Sequence, residues 1–386
     1  MQNFQFQMGT NIWFGKDRIN HLPEILGKYG RKVLLVYGGG SIKRIGLYDT
    51  IRELLADFTI IELGGIEPNP KVESVNAGAA ICKENAVDVI LAVGGGSTID
   101  CAKAIAAAAF YDGDAWELIT APDRIQKALP VCVVLTLAAT GSEINAGSVI
   151  SNPATKQKVG FMHGELLPRH AILDPQYTFT VSARQTAAGA ADIISHILEQ
   201  YFTPHSTFLS DRLCESVLKT VIHYAPIAIQ QPDNYEARSQ LMWAGSLADN
   251  GITSLGNAFS AWSCHGIEHE LSGTYDIIHG EGLAILTPRW MRYILNDQTV
   301  HRFAEYAVNV WGIDPSPDAY ETAREGIAAT EAFFKNLGIP MTLSELNIDS
   351  RDFAAMAEHA VTTEGLAYAY VPLTNDDVVN ILQSCL

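Results

Sequence analysis

The first half of the chain alternates short apolar runs with stretches of helical character. Residues 32–37 (KVLLVY) and 87–93 (VDVILAV) are rich in Val, Ile and Leu at consecutive positions. Strands that are apolar on both faces are typical of a parallel sheet covered by helices on each side. We therefore predict strands at 32–37, 59–63, 87–93 and 131–136, with helices near 47–55, 71–83 and 98–110.

The pattern changes in the second half of the chain. The stretch 143–174 is mixed and contains turn dipeptides, so we expect an antiparallel excursion within it. After about Ser182 the sequence becomes alanine-rich and helical, with hardly any strand-like alternation. We predict an α/β domain with a parallel Rossmann-like sheet over residues 1–181 and an all-α domain over residues 182–386.

Composition narrows the class of protein. The 386-residue chain is 48% hydrophobic and 18% charged, as is usual for a globular enzyme. Its formal net charge of -17 repels nucleic acid and anionic lipid, so we expect neither as a partner. The longest strongly apolar stretch, residues 128–139, is too short for a membrane helix, and no signal-peptide pattern is present. The six cysteines are scattered, so we expect reduced thiols and a cytoplasmic location.

Two glycine-rich loops follow predicted strands. Residues 94–98 (GGGST) open a helix, where backbone N–H groups can face a pyrophosphate. Residues 38–41 (GGGS) lack the acidic residue with which NAD-selective enzymes hold the ribose 2′-OH. Because Ser41, Lys43 and Arg44 offer donors to a 2′-phosphate, this loop favours NADP(H). Neither loop has the G-x-G-x-x-G spacing, and tight packing turns or solvated surface cations are the alternatives.

A third loop, residues 136–143, leaves a strand at its carboxyl end, where the ligands of open parallel sheets collect. Its hydroxyl groups are candidates for contacts with the pyrophosphate or the nicotinamide, and helix capping by Thr140 or Ser142 is the alternative. The predicted cofactor contacts are Gly38, Gly39, Gly40, Ser41, Asn69, Gly94, Gly95, Gly96, Ser97, Thr98, Asp100, Thr136, Leu137, Thr140 and Lys158.

Five residues of the second half form a candidate metal site. Asp192 and His196 are four positions apart, so they share one face of a helix and can share one divalent cation. His265, His269 and His279 follow within fifteen residues of one another. Carboxylate oxygen and imidazole nitrogen suit Fe(II) or Zn(II). The alternative is two ordinary i,i+4 pairs, although unpaired polar groups are costly in such apolar helices.

Residues 265–269 also match H-x-x-E-H, the inverted zinc-protease motif. On that interpretation His265 and His269 bind zinc and Glu268 is the general base, but the glycine loops then have no purpose. Two further alternatives are a dehydroquinate-synthase-like lyase and a nucleotide-binding protein without catalysis. The lyase needs many basic residues for an anionic substrate, whereas the chain has only 26 Lys and Arg.

These motifs, in this order, resemble those of the metal-dependent group III alcohol dehydrogenases, also called iron-containing alcohol dehydrogenases. Residues 94–103 (GGGSTIDCAK) are similar to the family's GGGSxxDxAK, and residues 139–143 to its ATGSE. Residues 264–280 (CHGIEHELSGTYDIIHG) are similar to its histidine signature. The resemblance covers nearly the whole chain and implies a fold like that of dehydroquinate synthase.

The resemblance also implies which residues act. One Fe(II) or Zn(II) ion would be held by Asp192, His196, His265 and His279. His269 would be a catalytic residue at the nicotinamide end without binding the metal, as a proton relay or as a contact to the ribose. The loop at 38–41 looks like that of NADPH-dependent aldehyde reductases and butanol dehydrogenases. The implied activity is hydride transfer between NADP(H) and a metal-bound short-chain alcohol or aldehyde, in a homodimer or larger homo-oligomer. Phe259 and Trp262 are candidates for the pocket lining.

Overall fold

A computed structural model describes all 386 residues. The chain divides into two compact units. The α/β unit comprises Gln7–Val181 and Pro232–Ser246, and the helical unit comprises Met1–Phe6, Ser182–Gln231 and Leu247–Leu386. The main transition lies between Val181 and Ser182, but two short segments belong with the unit formed by the other part of the chain. A division into domains at 1–181 and 182–386 stays a prediction.

The α/β unit is built on a six-stranded sheet in the order β1-β8-β5-β4-β2-β3, in which all neighbouring strands are parallel. The four predicted strands correspond to β2 to β5, with ends within two residues of the expected ones. The strands are β1 (Asn11–Phe14), β2 (Lys32–Tyr37), β3 (Thr59–Gly64), β4 (Val89–Gly94), β5 (Val131–Leu135), β6 (Gly147–Asn152), β7 (Gln157–Met162) and β8 (His170–Leu173).

Two strands of the sheet, β1 and β8, are absent from the sequence prediction. Each is only four residues long, too short for an apolar pattern to be evident, and each is defined by its pairing. They pair with one another, and β8 also pairs with β5. The expected antiparallel excursion is confirmed, since β6 and β7 form a separate antiparallel hairpin.

Fifteen α-helices are distributed over the two units. Their bounds are α1 (Leu22–Gly27), α2 (Ser41–Arg44), α3 (Leu47–Leu54), α4 (Val72–Asn85), α5 (Gly96–Ala108), α6 (Ala115–Ile119), α7 (Ala183–Tyr201), α8 (Phe208–Gln230), α9 (Tyr235–Ala248), α10 (Ser263–Tyr275), α11 (His279–Tyr293), α12 (Val300–Tyr306), α13 (Ala319–Asn336), α14 (Phe353–Thr363) and α15 (Asn375–Gln383). None of them combines the length and the apolar character that a membrane crossing requires. The predicted fold class, a parallel α/β part followed by a helical part, is confirmed.

The parallel sheet is buried on both faces, which explains its continuous apolar strands. Leu34 and Val36 of β2 pack into one core, whereas Val33 and Leu35 pack into the other. All six cysteines are free and buried, as expected. Burial raises the pKa of Cys82 to about 12, so its thiol stays protonated at neutral pH.

Candidate metal centre and coenzyme loops

Helix α7 presents Asp192 and His196 on a fully buried stretch of the helical unit. The small residues before them let another helix approach closely. A Cβ atom added to Gly280, at the start of α11, would collide with the backbone carbonyl of Ala188. Because Gly280 follows His279 directly, this close backbone contact determines how near His279 lies to α7.

The imidazole rings of three candidate ligands converge on one atom of the fourth, Oδ1 of Asp192. The Nε2 atoms of His196, His265 and His279 lie 3.6, 3.7 and 3.7 Å from it. These distances are too long for hydrogen bonds. The ligand atoms of Asp192, His265 and His279 all lie within 4.8 Å of one another, as those of one metal site do, and His196 adds a fourth nitrogen beside Asp192.

Three polar atoms of the candidate ligands are buried and without a hydrogen-bond partner, namely Oδ1 of Asp192, Nδ1 of His196 and Nε2 of His265. Orphaned buried polar atoms are costly in a folded protein unless something binds them. One oxygen and three imidazole nitrogens are a donor set that suits Fe(II) or Zn(II). The residues present therefore fit a divalent cation.

Charge at the centre is arranged for metal binding. Burial opposes ionisation of Asp192, but the neighbouring imidazoles, His196 first, hold its pKa below the usual value. Burial lowers the pKa of His196 to about 3, so that ring is neutral and can donate a lone pair. Burial also acts to lower the pKa of His265, but Glu199 and Asp192 outweigh it and raise that pKa to about 10. His265 would therefore have to release a proton from Nε2 in order to bind a cation.

Buried carboxylates contact the Nδ1 atoms of two candidate ligands, on the side of each ring away from Asp192. Glu199, on α7, accepts hydrogen bonds from the backbone N–H groups of Cys264 and His265, at 2.6 and 3.1 Å, and contacts Nδ1 of His265. Glu268, on α10, contacts Nδ1 of His279. Sequence reasoning missed Glu199 entirely. Its signal is its position three residues after His196, on the same turn of a buried helix.

His269 lies beside the ligands with a different partner. Its Nδ1 atom is 3.3 Å from Oε1 of Glu364, and its ring centroid is 5.8 Å from that of His279. Of the two expected pocket residues, Trp262 is close to the centre, since its ring lies 5.0 Å from that of His265. Phe259 is 80% exposed and contributes to the protein surface.

The geometry of Glu268 contradicts the zinc-protease interpretation. A general base must reach a water molecule that attacks the substrate. The side chain of Glu268 has no exposed surface, and its two oxygens contact the Ser272 hydroxyl and Nδ1 of His279. The match of residues 265–269 to H-x-x-E-H is therefore accidental as a protease motif.

The parallel sheet brings the three predicted coenzyme loops to one edge of the α/β unit. Strands β2, β4 and β5 are neighbours in the sheet, and residues 38–41, 94–98 and 136–143 follow their carboxyl ends. Thr136 donates its backbone N–H to the carbonyl of Gly94 at 3.0 Å. The carboxyl ends of strands in an open parallel sheet are where ligands bind.

Close packing explains the glycines of the middle loop. A Cβ atom added to Gly95 would lie 3.1 Å from Leu137, and one added to Gly96 would lie 2.5 Å from Thr140. The middle and third loops therefore touch through these positions. Gly40 adopts φ +90°, a left-handed conformation that favours glycine, whereas Gly39 is exposed with open space around it.

Three predicted coenzyme residues are buried in other parts of the α/β unit. Asn69 follows β3 with φ 49°, and Lys158 lies on β7. The carboxylate of Asp100, on α5, accepts hydrogen bonds from the Ser142 hydroxyl and from the Val149 backbone. Asp100 therefore connects the helix to the third loop and to β6, and a direct coenzyme contact by this residue stays a prediction.

Lys103 reinforces the same connection, and sequence reasoning gave it no role. Its ammonium group is fully buried and donates to Ser142 at 2.9 Å, to Asn145 at 3.0 Å and to the carbonyl of Gly147 at 2.7 Å. Burial raises the pKa of Asp100, while the Lys103 charge opposes that shift. A buried cation with this many acceptors fixes the position of the loop.

Comparison with known proteins identifies the family of the chain. The chain matches the family "Iron-containing alcohol dehydrogenase" over residues 9–175 and the family's C-terminal domain over residues 186–386. It is 49% identical to NADH-dependent butanol dehydrogenase A of Clostridium acetobutylicum, and the alignment covers 99% of each chain. It is 39% identical to the NADPH-dependent aldehyde reductase YqhD of Escherichia coli, over 95% of each chain.

Solved structures give the same result. NADH-dependent butanol dehydrogenase A from Thermotoga maritima superposes with a TM-score of 0.95 at 37% identity, covering 100% of this chain and 99% of the other. Such matches do not favour a lyase. Membership implies a divalent metal and a nicotinamide coenzyme. The chain therefore belongs to the iron-containing alcohol dehydrogenase family, as an oxidoreductase of alcohols and aldehydes.

Proposed function

We propose that this protein interconverts short-chain aldehydes and primary alcohols, with NADP(H) and one divalent cation held by Asp192, His196, His265 and His279. The observation that supports the proposal best is the convergence of three imidazole Nε2 atoms on a buried oxygen of Asp192 that has no hydrogen-bond partner. When bound, the cation stabilises negative charge on the substrate oxygen, and the nicotinamide carries the hydride.

His269 is the proposed proton-transfer residue. Its Nδ1 atom is held by Glu364 at 3.3 Å, so Nε2 is the atom that can give a proton to the product oxygen or remove it. The side chain of His269 is buried. Glu364 keeps the ring in one orientation, as a carboxylate does for a catalytic histidine in general.

The substrate class follows from the surroundings of the ligands and from the relatives. Trp262 places an indole ring beside His196 and His265, at centroid distances of 5.5 and 5.0 Å. An aromatic wall favours an aliphatic chain over a charged one. The relatives named above include butanol dehydrogenases and an aldehyde reductase. Short unbranched aldehydes such as butanal are therefore the proposed substrates.

The proposal that NADP(H) is accepted rests on the loop at 38–41. Ser41, Lys43 and Arg44 are exposed next to it on α2, and no atom lies within 4 Å of a Cβ built on Gly39. A 2′-phosphate needs this combination of space and donors. Two of the three relatives above are named NADH-dependent and one NADPH-dependent, so their names do not decide the coenzyme.

A carboxylate close to this loop, that of Glu62, already accepts hydrogen bonds from other side chains of the protein. Glu62, on β3, accepts hydrogen bonds from the hydroxyl groups of Tyr37 and Tyr48, at 3.0 and 2.7 Å. The Lys43 ammonium lies 4.7 Å from the centre of the Tyr48 ring. The two tyrosine hydroxyl groups thus hold Glu62 in place within the α/β unit.

One set of measurements tests the proposed function. Metal content of the purified protein is measured together with oxidation of NADPH and NADH in the presence of butanal. We expect about one Fe or Zn per chain, and a kcat/KM for NADPH at least equal to that for NADH. Asp192→Asn is expected to lose both the metal and the activity, because it removes the charge on which the imidazoles converge.

Asp174→Asn is the matched control, since Asp174 is a buried aspartate of the α/β unit whose carboxylate accepts hydrogen bonds from the backbone N–H groups of Gln176 and Asp17 and contacts no candidate ligand. It should keep its metal and its activity. A protein without metal, or Asp192→Asn with wild-type metal content and turnover, would contradict the proposed centre. A clear preference for NADH would contradict only the proposed coenzyme.

A further inference from the structure

We infer that Glu268 is a positioning residue of the metal centre, which holds His279 in the tautomer whose Nε2 lone pair faces Asp192. The inference rests on the proposed function, because it presupposes a divalent cation at Asp192, His196, His265 and His279. It gives a role to the glutamate of the accidental protease motif, which the proposed reaction leaves without one.

The contacts of Glu268 define this role. Its side chain is completely buried within α10. One oxygen accepts a hydrogen bond from the hydroxyl of Ser272, one turn further along the helix, and the other contacts Nδ1 of His279. A Cβ atom added to Gly282 would lie 2.8 Å from Cγ of Glu268, so α11 packs directly against this side chain.

The contact between Glu268 and Nδ1 of His279 determines which tautomer the His279 ring adopts. A neutral histidine has one N–H and one lone pair, and a carboxylate can only accept a hydrogen bond. Glu268 therefore places the proton of His279 on Nδ1. The lone pair is then on Nε2, the atom that lies 3.7 Å from Oδ1 of Asp192. Metal-binding histidines are commonly oriented by a carboxylate in this manner.

The same arrangement occurs a second time at the centre. Glu199 contacts Nδ1 of His265, whose Nε2 lies 3.7 Å from the same oxygen of Asp192. Glu199 also accepts two backbone hydrogen bonds at the start of α10, so its removal would disturb the helix itself. The contacts of Glu268 named above, with Ser272 and His279, are contacts to side chains. The arrangement is therefore tested at Glu268.

The chain contains a matched control on the same helix. Glu270, two residues further along α10, is also a buried glutamate in contact with a histidine. Its partner is His359, whose Nδ1 lies 2.6 Å from Oε1 of Glu270. His359 is not among the residues that converge on Asp192. A buried glutamate of the same helix, paired with a histidine of α14, can thus be altered without touching a ligand.

The test uses Zn²⁺ affinity, measured by competition with a chromophoric chelator, and the visible spectrum of the Co²⁺-substituted protein. Glu268→Gln keeps the shape of the side chain but loses its charge, and Glu268→Met also loses the acceptor. We expect Zn²⁺ binding to weaken about 10-fold in Glu268→Gln and up to about 100-fold in Glu268→Met. The Co²⁺ spectrum should change in both variants. Glu270→Gln and Glu270→Met should keep wild-type affinity and spectrum.

The melting temperature of the metal-free proteins separates positioning from a structural role. We expect it to be unchanged in Glu268→Gln while Zn²⁺ affinity falls. Wild-type affinity in Glu268→Gln, or an equal loss in Glu270→Gln, would overturn the inference while leaving the metal centre intact. If the wild-type protein binds neither Zn²⁺ nor Co²⁺, the proposed function fails together with the inference. Should Glu268→Met not fold, Glu268→Gln alone decides.

Discussion

Single residues around the metal centre owe their identity to space as much as to chemistry. His279 begins α11, and Gly280 after it faces the backbone of Ala188 so closely that no Cβ atom fits. Asp192 lies one turn beyond Ala188 on α7. The backbone contact between Gly280 and Ala188 therefore determines the distance between Asp192 and His279, and neither ligand takes part in that contact.

Gly280→Ala tests that dependence. The added methyl group must push α11 away from α7, which we expect to lower the free energy of unfolding by about 1 to 3 kcal/mol and to weaken metal binding. Urea unfolding and Zn²⁺ competition measure the two effects. Gly27→Ala, in α1, is the control, because nothing lies within 4 Å of its added methyl group. Wild-type metal affinity in Gly280→Ala would show that the close contact does not position His279.

At the scale of elements, the parallel sheet turns loops that are distant in the sequence into one surface. The loops at 38–41, 94–98 and 136–143 come together because β2, β4 and β5 are adjacent and parallel. Gly95 and Gly96 are dictated by packing against the third loop, and Gly94 by packing against the side chain of Thr98. Gly39 is different, since it is exposed and nothing packs against it. Packing therefore does not require glycine at position 39, and we expect this position to influence the choice between NADP(H) and NAD(H).

Gly39→Asp tests coenzyme choice with little risk to the fold, because a side chain at this position meets no neighbour. An added carboxylate about 4 Å from a 2′-phosphate costs about 1 to 4 kcal/mol in repulsion. We expect the ratio of kcat/KM for NADPH to that for NADH to fall about tenfold. Gly39→Asn has the same size without the charge and should change the ratio less. An unchanged ratio in Gly39→Asp would mean that the 2′-phosphate lies elsewhere.

At the scale of the whole molecule, the two sets of functional residues belong to different compact units. All four candidate ligands lie in the helical unit, and all predicted coenzyme residues lie in the α/β unit. Short segments nevertheless cross this division in the sequence. Residues of α9 belong with the α/β unit, where Ser246 donates a hydrogen bond to the buried Glu143 and Trp243 packs on Phe14. The expected homodimer and cytoplasmic location stay predictions.

Removal of the metal should therefore affect the two units unequally. A cation that binds only the folded protein stabilises it by about 2.7 kcal/mol at a free concentration 100 times its Kd. We expect a chelator to lower the melting temperature and abolish activity, while NADPH still binds. Calorimetry and fluorescence titration with NADPH measure these effects, and re-addition of Zn²⁺ or Fe²⁺ is the control. Loss of NADPH binding together with the metal would contradict this separation.

Much of the fold could be read from the chain, because the elements concerned have strong local patterns. The strands β2 to β5 are continuous apolar runs, and their ends lie within two residues of the predicted ones. Strands β1 and β8 could not be predicted, since four residues show no period and their conformation depends on pairing with each other and with β5. Residues 232–246 belong to the α/β unit although the residues before and after them belong to the helical unit, and no sequence pattern in this segment indicates that assignment.

The sequence by itself determined the fold class, the residue types of a metal centre and the glycine loops, because apolar periodicity and residue spacing are local properties. It did not decide which nitrogen of His279 carries the proton, nor that Glu268 is buried against that ring rather than facing water. Those facts depend on how α10 packs against α11 and on which atoms lose contact with solvent. Only the tertiary structure brings Asp192, His265 and His279 to a common point, because Asp192 is more than seventy positions away from either histidine and no local pattern encodes their distance.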